Sequence, residues 1–407
     1  MTTRALLLSI LCLAPVHLAI GAQTRELNTR HYLIHTDLDP ELTTDLGQRL
    51  DAMYDEYSQR LAPFRTREVV PKLEVYLFRS ARDYAALIAG RLENSAGAFL
   101  PTQNQLAAFL GDQGRDQLRR TLQHEAFHQF AYNAIGGDLP PWLNEGLAQY
   151  FEEGLWNGDG FLLGEVPPRR VRQLRADLNA NRLLDFSALV ILTNDQWSRR
   201  LATNRADGVT QYNQSWAIVH FLVMARNDHG DYLYRTHLLD MLRRLHAGTP
   251  TRAALELAFA NNLPSLRTGF IEYARNLQPT PEARLIENQG VVADLLMDFG
   301  RVGRHFSDIA SLRRFVNQGH YHLHYSRGDL TWDTEPDMNC YFSDLSGRSF
   351  GPNDLYLSPR NDSPLPDIIC RCSNRLVLRT RFHQGEDQAC DHELLIEPIR
   401  STATVSQ

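Results

Sequence analysis

An α+β fold is what the sequence predicts, and three observations carry it. Residues 23–112 alternate strand-like runs with one amphipathic helical stretch, residues 113–280 show helical periodicity almost throughout, and residues 285–407 are richer in short strands and turns. A chain of 407 residues is long enough for two or three domains, and "NLQPTPEAR" at 276–284 reads as the linker before the strand-rich C-terminal part.

The elements follow in order. Residues 1–22 have the layout of a secretory signal peptide: Arg4, an apolar run over 5–20, then the small residues Gly21 and Ala22 before polar "QTRE". The rival reading is a membrane anchor, but Pro15 and His17 interrupt a run that is short for a span. The expectation is an exported chain, periplasmic or secreted, with no stable membrane span after cleavage. "HYLIHTD" and "KLEVYLF" read as strands, and between them Leu42, Leu46, Leu50, Met53 and Tyr57 recur at helical steps. "GAFLPTQNQLAAFLG" reads as a hairpin turning at 101–104. A helix over about 116–135 carries Leu118, Leu122, Phe127 and Phe130 on its apolar side and stops at Gly136 and Gly137. "LPPWLNEGLAQYFEEG" starts a second helix at Pro140 and Pro141 and ends it at Gly154, and "QYNQSWAIVHFLVMAR" is a third.

Composition excludes some classes of function. Hydrophobic residues make up 43% and charged residues 22%, ordinary globular proportions, and the net charge of −6 is spread along the chain. No basic stripe supports nucleic acid as a partner. Cys12 falls within the signal peptide, leaving Cys340, Cys370, Cys372 and Cys390. In an exported protein these predict two disulfides, with three possible connectivities. Cys370 and Cys372 share one face of a strand, so each is expected to pair with Cys340 or Cys390. The competing reading, a four-thiolate zinc site, is opposed by "CRC", which lacks the usual two-residue spacing.

The chemistry centres on "TLQHEAFHQF" at 121–130. Residues four apart on a helix are offset by about 40°, so His124 and His128 project from one face and can reach one cation at about 2.0–2.1 Å. Glu125 is turned about 100° further, too far to be a natural third ligand but well placed to take a proton from a water on the metal. A bland helix face is the competing reading, yet Phe127 and Phe130 bracket the pair, and buried imidazoles need partners. A catalytic zinc needs a third protein ligand and an open position. Glu145 in "PPWLNEGLAQYF" is the candidate: the sixteen residues between it and His128 allow a helix end, a turn and a second helix returning alongside. The alternative for Glu145 is a first-turn carboxylate favouring the helix dipole.

"HEAFH" followed by "WLNEGLA" resembles the gluzincin metallopeptidases, in the peptidase MA-like branch related to the large zinc aminopeptidases. The resemblance covers roughly residues 28–275 and does not explain the C-terminal region. It implies a zincin (thermolysin-like) catalytic domain with a small N-terminal β-sheet subdomain and a mainly helical active-site subdomain. It also implies one catalytic zinc held by His124, His128 and Glu145, with Glu125 as general base. Such sites often use a tyrosine from a later helix on the oxyanion, and Tyr212, 67 residues after Glu145, lies at a similar separation. The other reading of Tyr212 is a core-edge residue. The aminopeptidase relatives hold the substrate amine with the glutamate of a G-x-M-E-N segment, whereas "GAFLPTQNQLAAF" has no acidic residue here. Its 104–109 part is instead expected to form an edge strand for an extended peptide.

Other features have plainer readings beside the functional ones. His320, His322 and His324 alternate in "QGHYHLHYS", giving either a second metal site or a solvated strand face, with no acid nearby in sequence to complete the site. His220 in "WAIVHFLV" is expected as a hydrogen-bonded core histidine, and Gln149 as a surface residue or a support for a ligand. Taken together, an exported zinc metallopeptidase acting on a peptide or protein substrate is expected, and not a typical aminopeptidase. The alternative is a zinc-containing cell-envelope binding or assembly module, which would have no need of Glu125.

Overall fold

The N-terminal runs pair as their alternation requires. In the computed structural model, residues 24–398 are described except for 65–70, 89–94, 137–138, 204, 261, 320, 328–329, 372–375 and 385–389. The signal-peptide reading therefore lies outside the described residues. Strands β1 (Arg25–Asn28) and β2 (Tyr32–Thr36) are antiparallel, and helix α1 (Pro40–Arg60) crosses over to β3 (Leu73–Phe78), parallel to β2. Tyr32, Ile34 and Thr36 are buried on one face of β2. Helix α1 starts because the Asp39 carboxylate accepts from the Leu42 amide at 2.8 Å and Pro40 suits the first turn. After α2 (Ala81–Ile88), strands β4 (Gly97–Leu100) and β5 (Gln105–Phe109) form the expected hairpin, with Asn104 left-handed in its turn at φ 53°. The sheet order is β1-β2-β3-β5-β4. The 105–109 stretch, expected at the edge, is thus an inner strand between β3 and β4, and β4 is the edge. A hairpin adds its strands in whichever order the first parallel pairing leaves open, and periodicity does not encode that choice.

The motif helix α3 (Arg115–Phe130) packs against α1 and the β4–β5 end of the sheet. Gln129 Nε2 pins it there, donating to the carbonyls of Glu74 (3.1 Å) and Asn104 (2.9 Å). One π turn, Ala131–Ile135, widens its end before Gly136, whose φ of 64° ends the helix. Helix α4 (Pro141–Glu152) returns beside α3, followed by the small hairpin β6 (Leu155–Trp156) and β7 (Phe161–Leu162). Helices α5 (Pro168–Asn179), α6 (Phe186–Leu189) and α7 (Asn194–Thr203) lead to α8 (Arg205–Met224), which packs against α4, α5, α7, α9 (Arg235–His246) and α11 (Leu263–Asn276). Helix α10 (Thr251–Ala258) precedes α11. One continuous core, from Tyr32 to Leu277, joins the sheet to these helices.

A second core runs from Leu285 to Ile396. It begins on a long helix, α12 (Pro281–Arg301), where a linker and strands were expected. Pro281 opens the first turn, and Leu285, Val292, Leu296 and Phe299 recur at helical steps. Helix α13 (Ile309–Gln318) and the ribbon β8 (His324–Arg327) and β9 (Leu330–Asp333) follow. A four-stranded antiparallel sheet then runs in the order β10 (Leu355–Ser358), β11 (Asp367–Arg371), β12 (Leu376–Gln384) and β13 (Cys390–Pro398). Strand β13 docks on the start of α3. Leu394 donates its amide to Asp116 Oδ2 at 2.8 Å, and Arg119 Nη2 meets Glu393 Oε2 at 2.7 Å with both side chains nearly buried. Burial opposes ionisation of Glu393, but the hydrogen bond from His383 and the Arg119 guanidinium outweigh it and hold the carboxyl well below its usual range.

No disulfide joins Cys340, Cys370 and Cys390 to one another, and the expected bridge to Cys372 lies outside the described residues. These three pack around the second core, Cys370 within it and Cys340 and Cys390 at its edge, and burial pushes the Cys340 thiol up to about 11. No described helix is long and apolar enough to cross a membrane.

Candidate metal centre

Helix α3 buries Leu118, Leu122, Ala126, Phe127 and Phe130 in the core, which turns His124, Glu125 and His128 towards the partly open side. Helix α4 buries Trp142, Leu143, Leu147 and Phe151, leaving Glu145 to face the same opening. Glu145 Oε2 lies 3.4 Å from His124 Nε2 and 3.7 Å from His128 Nε2. One ligand atom from each residue falls within 4.8 Å of the others, and among the described residues these three are the group whose donors meet in this way. Two imidazole nitrogens and a carboxylate oxygen are the donor set of an open four-coordinate zinc site.

The far side of each imidazole is also engaged. His124 Nδ1 is 3.1 Å from Glu152 Oε2, an oxygen that accepts its proton, so Nε2 is the nitrogen left to face a cation once its own proton is displaced. His128 Nδ1 is held in the same manner by Asn144 Oδ1 at 3.2 Å. Burial disfavours the His124 imidazolium, yet hydrogen bonds to Glu145 and Glu152 outweigh it and raise its pKa well above the ordinary value. Burial likewise opposes ionisation of Glu145, but His128 and His124 overcome it and lower its pKa. Sequence reading missed Asn144 and Glu152. Glu152 follows Glu145 by seven residues, two turns along one helix face, and that spacing was its available signal.

Glu125 does not join the ligand group. Its Oε2 accepts from the Phe99 amide at 2.9 Å, so the edge strand β4 fixes the carboxylate at the mouth of the site. The three donors lie between two depressions that share Glu125 and Glu145. One includes His128, Phe99, Tyr132 and Leu139. The other, a cavity of about 280 Å³, includes His124, Tyr212, Gln149, Arg170 and, from the C-terminal part, Arg327 and Leu330. Tyr212 thus faces the same cavity as the ligands, with its ring edge-on to Trp197 at 5.4 Å.

Other candidates divide. Gln149 is buried, 4% exposed, and accepts from Arg170 Nη1 at 2.7 Å, so it is not a surface residue. His220 is a core histidine: its Nε2 meets the Gly164 carbonyl at 3.1 Å and its Nδ1 the Tyr273 hydroxyl at 2.7 Å. Burial pulls its pKa down to about 4. His320 lies outside the described residues. His322 and His324 are exposed, and the β8–β9 pairing supplies the acid that was not evident in the sequence, with Asp333 Oδ1 at 3.4 and 2.8 Å from them. Histidines 322 and 324 with Asp333 are not among the groups whose donors converge.

Residues 119–237 match a family model described as a protein of unknown function (DUF1570). That segment contains His124, Glu125, His128, Glu145 and Tyr212, but not the N-terminal sheet or the second core. Among curated proteins compared with the chain, none matches it.

Proposed function

We propose that this chain is an exported zinc metallopeptidase that hydrolyses bonds in a peptide or protein substrate. The observation that carries the reading is the meeting of His124, His128 and Glu145, with the Glu125 carboxylate held beside them by the Phe99 amide. Bound there, zinc supplies Lewis-acid polarisation of a water and of the scissile carbonyl. Asn144 and Glu152 orient the imidazoles of His124 and His128, which with Glu145 would hold the ion. Glu125 takes the proton from the attacking water and delivers it to the leaving amine, and its bond to Phe99 keeps one oxygen aimed while the other moves the proton. Tyr212 donates to the oxyanion that forms on the carbonyl. The amine-holding glutamate of the aminopeptidases has no counterpart in "GAFLPTQNQLAAF", which favours another specificity.

The test separates metal binding from chemistry. Glu125→Gln is expected to retain one zinc per chain by elemental analysis and to lose peptide hydrolysis by about 10²–10⁴-fold, the contribution of general base catalysis. Full activity in that variant would show the mechanism to be wrong.

A further inference from the structure

The cavity beside the candidate metal group carries a cation that forms no hydrogen bond or ion pair among the described residues. Arg327, at the end of β8, shares that cavity with His124, Glu125, Glu145 and Tyr212. Arg327 is half-buried and feels Asp294, Asp116 and Glu287 through space, with no hydrogen bond or ion pair to a described residue. The neighbouring acids are already engaged, Asp294 by His392 at 3.7 Å. Glu153 is bound by Arg169 and Arg170, Glu287 by Arg172 and the Arg169 amide, and Asp116 by Arg119 and the Leu394 amide. Glu152, also lining the cavity, is committed to His124. Burial and the charges of Arg120 and Arg169 draw the Arg327 guanidinium down to about 9, and the Nε of Arg120 is itself buried without a hydrogen-bond partner.

A half-buried guanidinium without a paired anion is costly, and its matched partner is a carboxylate, which takes two parallel N–H bonds. The cavity's 280 Å³ is at the small end for a ligand site, suited to the end of a chain more than to a long stretch of it. We propose that Arg327 anchors the C-terminal carboxylate of the substrate, so that the chain works from the carboxyl end of peptides, releasing a short C-terminal fragment. The inference rests on the peptidase reading for its chemistry. The water oxygen bonds to the carbonyl carbon, the peptide C–N bond breaks, and Glu125 hands the water's proton to the amine of the released fragment. It also gives the second core a role: β8 and β9 bring Arg327 and Leu330 to a site otherwise built by the first.

Two measurements keep the two readings apart. In the first, zinc-loaded Glu125→Gln protein is titrated, with thermal midpoint as readout, with a mixture of N-acetylated tripeptides bearing a free C-terminal carboxylate, and with the same mixture amidated. The free acids are expected to bind at least tenfold more tightly, a preference lost when Arg327→Gln is added and partly kept with Arg327→Lys, which retains charge without the fork. In the second, wild-type protein digests N-acetylated hexapeptide mixtures, and cuts near the C-terminus are expected in the acids but not the amides. Equal binding of acids and amides, a preference that survives Arg327→Gln, or a preference for internal Asp or Glu would overturn the anchor. Hydrolysis of both mixtures alike would leave the peptidase reading standing and remove the anchor. Arg327-dependent binding of acids without hydrolysis would do the reverse.

Discussion

Substituting Gly146 by Ala tests how the site is held together. Gly146 follows the candidate ligand Glu145 on α4, and an added Cβ would lie 2.6 Å from the Ser215 carbonyl oxygen, 2.6 Å from Val219 Cγ2 and 3.0 Å from the Ser215 carbonyl carbon. The first and third of these are backbone atoms of α8, a helix hemmed in by α4, α5, α7, α9 and α11, so neither side can give by a rotamer change. Overpacking of this kind costs about 1–3 kcal/mol, and the rigid backbone places it near 3. Alanine's helix propensity returns about 1 kcal/mol, leaving a net loss of about 2. The same displacement moves Glu145 relative to α3 and shifts Tyr212, one turn before Ser215 on α8, so zinc affinity falls as well. Urea unfolding of the metal-free protein, followed by circular dichroism, reads the stability, and competition with a chelating dye reads the affinity. If Gly146→Ala matched or exceeded the wild type in stability, as propensity alone would have it, the close α4–α8 contact would not be what requires glycine.

The other expectations follow from the same geometry. Glu152→Ala removes the acceptor for His124 Nδ1 and should weaken zinc binding about 10–100-fold with the fold intact; an unchanged affinity would deny Glu152 its orienting role. His220 has its folded pKa lowered to about 4, below the ordinary value near 6.5, so its stabilising contribution is complete above pH 6.5 and is lost as pH falls towards 4. The stability difference between wild type and His220→Gln should therefore shrink by about 3 kcal/mol between pH 7 and pH 4, and a difference independent of pH would refute the assignment.

The core of the candidate site was legible because helical geometry is local. Spacing alone aligned His124 with His128, the glycine at 136 marked the helix end, and Pro141 opened the helix that returns Glu145. What spacing does not encode is which side chains meet across elements. Phe99 reaches Glu125 through its backbone amide, which any residue but proline would offer there. Arg327 arrives from a strand some two hundred residues downstream, placed by the docking of β13 on α3 and by the contact of β9 with α5. The two prolines of 276–284 look like the punctuation of a linker, whereas the second of them is the first residue of α12. The cysteines were read from the expected compartment, and their packing around the second core is a tertiary outcome that counting them does not reveal.

Zinc-dependent peptide hydrolysis at His124, His128 and Glu145 stands or falls on one digest. Purified protein carrying one equivalent of zinc is incubated with a mixed peptide library, with and without a chelator, beside the Glu125→Gln variant, and products are read by mass spectrometry. Cleavage that disappears with the chelator and in the variant is the predicted result. No cleavage despite stoichiometric zinc, or cleavage undiminished in Glu125→Gln, would contradict it.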